Sequence, residues 1–578
     1  MTDDAAIAGL GMTSLGRVFG SSPRRLAAQA VRLAAADAGM ALAELDGLLI
    51  CPGITGGLDV GLAGHLGLRD LALLAVVNSF GASAATAVQV AAQAVTSGAA
   101  RAVACVFADT PLREGLPAGS AFGRGGVANA AGPPERDGLH GLAAGYGFNS
   151  VTVYYALAAR RHMERFGTTS EQFGSIAVAQ RQWAAGNPGA QHREPISLAD
   201  HQASRWVAEP LHLLDCSLVS NGAIAVIVTS ARAAGGPRPP VHIWGWGQGH
   251  PGQPMARDSD FGLVTGAAQA GRAAMGGARI GPPDVTMCQI YDCYTYTVLV
   301  TLEDYGFCAK GEGGPFAASG ALGPGGSLPV NTGGGQLSAY YMWGFTPLSE
   351  AIIQARGDGG DRQSRATDVI LVSGNGGILS HHGTLIVSPH QRERSHTTSA
   401  RSGRPQASQA GSAMPPAAGE AGHDNAHDGR TWPAVAGPDQ LGLIRPDSRS
   451  EPFFAAAAQD VLMVRRCEGC GAWLAPTASG CPGCADDGEL SWAPASGQAT
   501  LVSWSVVHPR DGGPVSVPAL VELAEGPWLS TGLLLAGPQE LGALHAGEPV
   551  GVEFVHPDAG ASYPVFRPLL SSGYAQER

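Results

Sequence analysis

The chain has 578 residues, which exceeds the length that a single hydrophobic core usually supports, so two or more domains are expected. Hydrophobic residues make up 44% and charged residues 15% of the sequence, which is typical of a globular protein rather than a disordered one. The net charge of −12 argues against nucleic acid as a partner, because phosphate binding needs a basic surface. We expect a cytoplasmic protein with no membrane span, because no apolar run approaches about 20 residues and the N-terminus lacks signal-peptide features.

The first 388 residues contain an internal duplication, with halves of about 1–235 and 236–388. The first half reads as a strand, AIAGLGM, a helix, LAAQAVRLAAADAGM, a strand, DGLLICPG, a turn at Gly81, a helix, ASAATAVQVAAQAVTSG, and a strand, RAVACVFAD. The second half repeats this order with VHIWGWGQG, AAQAGRAAMGG, DVTMCQIYDC, the turn NTGGG, PLSEAIIQARG and ATDVILVSGNGG. Strands that alternate with helices predict an α/β domain, and the 83 glycines suit its many tight turns.

Ligands of α/β folds bind outside the carboxyl ends of the strands, where glycines let the backbone approach closely. The loops at these positions are therefore the candidate site. They are residues 51–53, 79–83, 291–296, 331–344 and 373–382.

Composition changes sharply after the large domain. Residues 389–450 are rich in Ser, Ala, Gly, Pro, Arg and His and have almost no aliphatic periodicity, which predicts a flexible linker. Residues 451–490 then contain two C-x₂-C pairs, formed by Cys467, Cys470, Cys481 and Cys484. Four thiolates in this spacing predict a closed tetrahedral site for a structural Zn²⁺, and disulfides are disfavoured in a cytoplasmic chain.

The last segment, 491–578, contains short β runs at regular spacing. These are ATLVSWSVVH, PALVELAEG, WLSTGLLLAG and PVGVEFVH. Repeated strands separated by Gly and Pro predict a small barrel. The barrel has few basic residues, so we do not expect it to bind nucleic acid.

Residues 1–388 resemble the sterol-carrier-protein-type branch of the thiolase superfamily. The segments that carry this resemblance are AIAGLGMTSLGR, NGAIAVIVTS, IYDCYTYTVLVTLEDYGFCAKGEGGPF, LPVNTGGGQLS and SGNGGILSHHGTLIV. The resemblance implies the thiolase fold, in which duplicated βαβαβ halves form α/β/α/β/α layers. It also implies a homodimer formed through the thiolase-like domain.

The reactive residues of thiolases are replaced at the matching positions. Gly81 stands at the nucleophilic cysteine, Ser83 at the family's next serine, and Ser373 at the second cysteine. Tyr341 takes the place of the histidine and Tyr291 that of the asparagine. Covalent acyl transfer is therefore not expected. The loops of Gly81, Gly376 and Gly377 are kept, and in the family their backbone N–H groups form an oxyanion hole that stabilises a thioester enolate.

This combination resembles the thiolase-like aldolases of bacterial steroid side-chain degradation. The resemblance implies retro-aldol cleavage of a bulky β-hydroxyacyl-CoA, with coenzyme A as part of the substrate. Tyr291 and Tyr341 would be the general acid and base, in an order that the sequence does not decide. The other loop residues expected to line the site are Tyr294, Asn331, Tyr340 and His381.

The C-terminal segment resembles the zinc-ribbon/OB-fold domains that accompany thiolase-like proteins, which implies that it docks on the large domain and shapes the substrate entrance. Two other functions stay open. One is a thiolase-fold acyltransferase or C–C bond-forming synthase with a displaced nucleophile, such as Cys293 or Ser83. The other is a non-catalytic scaffold that binds acyl-CoA or lipid.

Overall fold

A computed structural model of the chain describes residues 4–118, 137–252, 255, 259–392, 434–435, 443–484, 488–510 and 512–569. Within these ranges no helix combines the length and the apolar character needed to cross a lipid bilayer.

The described residues of the first half of the large domain form seven strands and seven α-helices. The strands are β1 (Ala5–Met12), β2 (Gly47–Pro52), β3 (Leu73–Val76), β4 (Ala102–Asp109), β5 (Trp206–Glu209), β6 (Leu211–His212) and β7 (Gly222–Ser230). The helices are α1 (Pro23–Asp37), α2 (Leu62–Leu66), α3 (Ser83–Ser97), α4 (Gly138–Gly145), α5 (Val151–Phe166), α6 (Ser170–Ala185) and α7 (Leu198–Ala203). Helices α4–α7 lie between β4 and β7, whereas residues 377–380, all of them described, join the corresponding strands of the second half without a helix.

The second half is shorter. Its strands are β8 (Val241–Gly249), β9 (Met287–Gln289), β10 (Ile370–Gly376) and β11 (His381–Ser388). Its helices are α8 (Ala267–Ala278), α9 (Thr295–Asp304), α10 (Gly313–Ala318) and α11 (Phe345–Ala355), and a π-helical turn spans Gly335–Ala339.

Nine strands form one mixed sheet in the order β3-β2-β4-β7-β1-β8-β11-β10-β9. From the centre outward, β1-β7-β4-β2 of the first half corresponds to β8-β11-β10-β9 of the second, which confirms the duplicated α/β fold. The two halves join where Ala6 and Ile7 of β1 pair with β8 in antiparallel register. Helix α3 packs on strands of both halves, whereas α1 and α8 each cover one half from outside, giving the predicted α/β/α/β/α layers.

Glycines in the two central strands let a helix approach the sheet closely. A Cβ atom at Gly9 of β1 would lie 2.1 Å from the carbonyl oxygen of Ala34 in α1. The equivalent contact in the second half is 2.2 Å, between Gly247 of β8 and Ala270 of α8. These glycines therefore serve close packing inside the sheet, a role that differs from the turns expected from the composition.

The ten-residue strand predicted for DVTMCQIYDC is much shorter in the structure. Only Met287–Gln289 pair with β10, and the chain leaves the sheet before Tyr291. The side chain of Asn331 causes this exit, because its Oδ1 accepts the backbone N–H of Ile290 at 2.7 Å. The tyrosine-rich segment is thus directed away from the sheet at the carboxyl end of β9.

The small domain consists of helix α12 (Glu451–Ala457), a three-stranded ribbon and a barrel. The ribbon strands are β12 (Met463–Cys467), β13 (Trp473–Leu474) and β14 (Leu490–Pro494), in the order β13-β12-β14. The barrel elements are β15 (Gln498–Trp504), β16 (Val506–Val507), β17 (Pro518–Leu523), β18 (Trp528–Gly532), α13 (Pro538–Ala543), β19 (Pro549–Val555) and β20 (Tyr563–Pro568). The sheet order is β18-β17-β15-β19-β20, and Leu533 bridges to Phe566, which closes the predicted barrel.

The small domain docks on the large one through the α4–α7 region. Strand β16 pairs with β5, with Val506 opposite Glu209. The Ser503 hydroxyl donates to the carbonyl oxygen of Leu157 in α5 at 2.7 Å, in a buried position. The guanidinium of Arg160 lies 5.0 Å from the ring centre of Trp504. Apolar side chains of both domains form one continuous buried cluster, so the two parts share a core.

Most of the predicted linker, 393–433 and 436–442, lies outside the described residues, and its flexibility stays a prediction. The end of the 389–450 range is packed in the structure. Ile444 is buried, and its carbonyl oxygen accepts the N–H of Ala561 at 3.0 Å. The carbonyl oxygen of Arg445 accepts the N–H of Gly138 at 2.7 Å, so residues 443–450 contact both domains.

Candidate active site and metal-binding cluster

The two tyrosines singled out in the sequence meet in the structure. Tyr291 lies in the loop between β9 and α9, and Tyr341 follows the π-helical turn Gly335–Ala339. Their hydroxyl oxygens are 2.9 Å apart, and their rings are inclined at 62° with centroids 6.4 Å apart. One phenol therefore donates a hydrogen bond to the other, and both belong to a single polar group.

Burial determines the protonation of this pair. Tyr291 is 4% exposed, and Tyr341 is half-buried. Burial raises the pKa of each phenol well above its ordinary value, and the neighbouring Tyr341 raises the pKa of Tyr291 further. Both hydroxyls are protonated at neutral pH, so each can donate as well as accept.

Gly81 has no space for a side chain. A Cβ atom at this position would lie 2.1 Å from the carbonyl oxygen of Asn375, 2.3 Å from Tyr291 Cε2 and 2.4 Å from its Cζ. The Tyr291 ring therefore occupies the space into which a nucleophile at position 81 would project. The tyrosine and the glycine are compatible with each other, whereas a cysteine at 81 is not compatible with this ring.

The loops around Gly81 and Gly376 are pressed together. A Cβ atom at Gly376 would lie 2.3 Å from the carbonyl oxygen of Ser79 and 2.9 Å from the Gly81 nitrogen. Phe80 has φ +52° and Gly377 has φ +61°, so both loops use left-handed backbone. Ser83 is buried and its hydroxyl accepts the Ser79 N–H at 2.9 Å, which stabilises the turn.

Three other predicted residues are buried and hydrogen-bonded. The Tyr294 hydroxyl bonds Thr152 at 2.8 Å, and the Tyr340 hydroxyl bonds Ser349 at 3.2 Å. Asn331 shapes the strand exit described above and has φ +53°. Through these contacts the three side chains stabilise the loops that carry Tyr291 and Tyr341.

The position of the second thiolase cysteine is enclosed. Ser373 has no exposed surface, and its hydroxyl bonds His382 Nε2 at 2.8 Å. Tyr305 bonds the same nitrogen at 3.0 Å. Burial lowers the pKa of His382 to about 3, so the imidazole is neutral. This network stiffens the pairing of β10 with β11.

His381 lies at the surface beside the site. Its ring is parallel to that of Phe80, with centroids 6.4 Å apart, and its Nδ1 is 3.1 Å from the Nδ1 of His250. Partial burial and the nearby His250 lower the pKa of His381. The imidazole therefore contacts the Gly81 loop from its exposed side.

Cys293, the candidate displaced nucleophile, is 5% exposed. Burial raises its pKa to about 12, so the thiolate is scarce at neutral pH. Its thiol hydrogen-bonds the phenol of Tyr155, whose ring is 4.7 Å from that of Tyr294.

Sequence reasoning did not identify Tyr155 or Ser220 as part of this region, and it included Asp292 only as a member of the loop 291–296. Tyr155 lies on α5, in the insertion that the repeat does not cover. Ser220 lies in the segment before β7, and its hydroxyl oxygen accepts the backbone N–H of Tyr341 at 2.9 Å. Asp292 is adjacent to Tyr291 in the sequence, and this position is the feature from which a role for Asp292 in the site could have been predicted.

The four cysteines of the ribbon converge. Every Sγ atom of Cys467, Cys470, Cys481 and Cys484 lies within 4.8 Å of the others, with Cys467 and Cys484 3.4 Å apart and Cys470 and Cys481 3.5 Å apart. Tetrahedral zinc with Zn–S bonds of about 2.3 Å requires sulfur–sulfur distances of about 3.8 Å, so the donor set fits this metal. Gly471, with φ +72°, lets the chain turn back beside the first knuckle.

Three family models match parts of the chain. Residues 247–389 match the thiolase C-terminal domain-like family. Residues 454–491 match the ChsH2 rubredoxin-like zinc ribbon domain, and residues 492–555 match the ChsH2 C-terminal OB-fold domain.

Two curated relatives match the large domain over nearly their full length. A steroid side-chain-cleaving aldolase of Thermomonospora curvata is 37% identical, over 64% of this chain and 95% of the relative. A 17-hydroxy-3-oxo-4-pregnene-20-carboxyl-CoA lyase of Mycobacterium tuberculosis is 36% identical, over 65% of this chain and 97% of the relative.

Solved structures extend the comparison to the fold. An Ltp2-ChsH2(DUF35) aldolase superimposes with a TM-score of 0.58 at 35% identity, over 67% of this chain and 98% of that one. A monomeric SCP2-thiolase-like protein of Mycobacterium smegmatis is 15% identical and shares the fold over 98% of this chain and 99% of its own, with a TM-score of 0.62. The chain therefore belongs to the family of thiolase-fold, steroid side-chain-cleaving aldolases, and it carries the ChsH2-type zinc ribbon and OB-fold domains in the same polypeptide.

Proposed function

We propose that this enzyme cleaves a bulky, steroid-derived β-hydroxyacyl-CoA by a non-covalent retro-aldol reaction. The hydrogen bond between the Tyr291 and Tyr341 hydroxyls is the observation that carries this proposal. The relative from M. tuberculosis is named for 17-hydroxy-3-oxo-4-pregnene-20-carboxyl-CoA, in which the hydroxyl lies β to the thioester. Cleavage of such a substrate gives a ring ketone and a three-carbon acyl-CoA. Aldol addition in the reverse direction uses the same groups.

The proton balance of the reaction suits a pair of neutral phenols. One phenol accepts the proton of the β-hydroxyl while passing its own proton to the other. The bond between the α- and β-carbons breaks, the β-carbon becomes a ketone, and the electron pair forms the thioester enolate. The second phenol gives its own proton to the α-carbon as it receives the proton of the first, so neither phenol carries two protons and the enolate is neutralised as it forms. Because the proton passes along the hydrogen bond, neither buried phenol must persist as a phenolate.

The enolate oxygen needs donors of its own. The tightly packed Gly81 and Gly376–Gly377 loops offer backbone N–H groups beside the phenols, as the family resemblance implies. Loss of one such donor costs about 3 kcal/mol of transition-state stabilisation in other enzymes. Steric exclusion at Gly81 and the high pKa of Cys293 both disfavour the alternative acyltransferase.

Substitution of either phenol tests the mechanism. Tyr291→Phe and Tyr341→Phe remove the hydroxyl and keep the ring, so each variant should fold and lose about 10²- to 10⁴-fold in kcat for cleavage of the pregnene thioester. Product release is measured by liquid chromatography. Tyr340→Phe and Cys293→Ser are the matched controls and should keep most of the activity. Full activity in both tyrosine variants would reject the site.

A second experiment addresses the alternatives. The acyltransferase hypothesis requires an acyl adduct after incubation with the thioester, whereas the retro-aldol mechanism leaves the mass of the intact protein unchanged. A scaffold would bind the thioester and release no ketone.

The exclusion of side chains at position 81 gives another prediction. Gly81→Ala places a Cβ atom against backbone and against the Tyr291 ring, so we expect loss of cleavage together with a lower melting temperature. Gly64→Ala is the control, because nothing lies within 4 Å of a Cβ atom there and alanine favours its helix. A fully active and stable Gly81→Ala protein would show that this packing does not matter.

We propose that the four ribbon cysteines hold a structural Zn²⁺ with no open coordination position. Metal analysis should give one zinc per chain, and Cys470→Ser should lose the metal and unfold the ribbon, because such sites contribute on the order of 10 kcal/mol to folding. Cys308→Ser, outside the cluster, should keep both metal and melting temperature. A metal-free wild-type protein of normal stability would contradict the assignment.

We also propose a homodimer formed through the edge strand β3. Among the described residues β3 pairs only with β2, and its outward side chains Leu74 and Val76 are 41% and 46% exposed. An unpaired apolar edge is suited to pairing with a second copy. Sedimentation should give twice the chain mass of 58.8 kDa, and Val76→Lys should give the single chain mass. Leu198→Lys, at another exposed apolar position, should leave the dimer intact.

A further inference from the structure

Asp292 is a buried carboxylate next to Tyr291 that the proposed chemistry does not use. Its side chain has no exposed surface. The backbone N–H of Gln336 donates to its two oxygens at 2.9 and 2.8 Å, and the N–H of Leu337 donates to Oδ2 at 3.2 Å. A carboxylate buried in this way is costly unless it is hydrogen-bonded, so these amides define its place.

The two amides belong to the π-helical turn that leads to Tyr341. The turn begins at Gly335, which has φ +59°. A Cβ atom at Gly335 would lie 2.1 Å from Asp292 Oδ2, so glycine is required for the carboxylate to reach the turn. Asp292, the residue after Tyr291, thus holds the backbone of the turn that precedes Tyr341.

Other hydrogen bonds also hold this turn, because the carbonyl oxygens of Ser338 and Ala339 accept the backbone N–H groups of His192 and Gln191 at 2.9 and 3.1 Å. The segment before β7 reaches both loops, because Ser217 N–H donates to the Cys293 carbonyl oxygen at 3.0 Å and Leu218 N–H donates to that of Gln336 at 2.9 Å. A small cavity lies behind the turn, lined in part by Asp292, Asn331 and Gly335. The other contacts use carbonyl groups of the turn, whereas the amides of Gln336 and Leu337 are held by the carboxylate of Asp292, which is adjacent to Tyr291.

We propose that Asp292 is a positioning residue, which clamps the Gly335–Ala339 turn to the Tyr291 loop and so sets the distance and orientation of the two phenols. This inference rests on the proposed function. A displacement of about 1 Å in a reacting group can cost about 10²-fold in rate, so the clamp has kinetic consequences without contacting the substrate.

The variant Asp292→Asn tests the clamp, because it keeps the side-chain volume and exchanges one acceptor oxygen for an NH₂ donor that faces the turn amides. We expect kcat for the pregnene thioester to fall about 10- to 100-fold while KM changes less than threefold. In a Tyr341→Phe background the same substitution should cost less than threefold, because its effect acts through that phenol.

Asp46→Asn is the matched control. Asp46 also accepts backbone amides, those of Arg101 and Ala102 at 2.9 Å, but it lies before β2, at the opposite end of the strands from the tyrosines. It should lower the melting temperature and leave kcat unchanged. Unchanged kcat in Asp292→Asn, or a loss that is the same in both backgrounds, would overturn the clamp.

The wild-type enzyme gives a measurement that does not depend on how the variant folds. Burial raises the pKa of Asp292 to about 7, and the ionisable groups Cys293 and Tyr341 face it. The ionised form accepts both amides, so kcat should fall as the pH is lowered from 8 to 6. A flat profile over this range would overturn the inference, whereas an inactive wild-type chain or active tyrosine variants would instead overturn the proposed function.

Discussion

The steric relation between Gly81 and Tyr291 is the constraint on which the site depends. In a thiolase-type site a reactive side chain projects from position 81, and here an aromatic ring fills that space to within 2.3 Å of where a Cβ atom would be. The ring brings its hydroxyl to the second phenol, at the end of another loop. Loss of the nucleophile at position 81 and gain of the phenol pair are therefore one structural change. A cysteine at position 81 and the ring of Tyr291 would occupy the same space.

The duplicated sheet explains why these loops meet. Helix α3 contacts strands of both halves, so the Gly81 turn at its N-terminus lies against β10 and β11 of the second half. The carboxyl ends of β9 and β10 then bring the Tyr291 and Gly376 loops to the same place. The internal repeat thus supplies two equivalent sets of loops, and the site forms where they face each other across the central helices.

Much of this could be predicted from the sequence. The strand VHIWGWGQG is Val241–Gly249 in the structure, and the four cysteines converge as their spacing indicated. Periodicity failed for DVTMCQIYDC, because an apolar run does not show that Asn331 draws the backbone out of the sheet after three residues. Tyr155 could not be found, because only tertiary packing brings α5 to Cys293. Local patterns therefore predict which elements form, whereas the end of this strand and the contacts between distant side chains depend on the fold.

Because the two phenols are buried, their environment favours proton transfer between neutral hydroxyls over proton exchange with solvent. Burial raises the pKa of both groups, which would impair a tyrosine that had to act as a free phenolate base. A retro-aldol reaction does not require a free phenolate. One proton leaves the β-hydroxyl and one proton is added to the α-carbon, so the reaction needs no net proton from solvent. Two neutral hydroxyls joined at 2.9 Å can carry that transfer with little separation of charge. In the proposed mechanism, the low polarity that disfavours a phenolate also strengthens the interaction of backbone N–H dipoles with the enolate, so the same burial favours both steps of that mechanism.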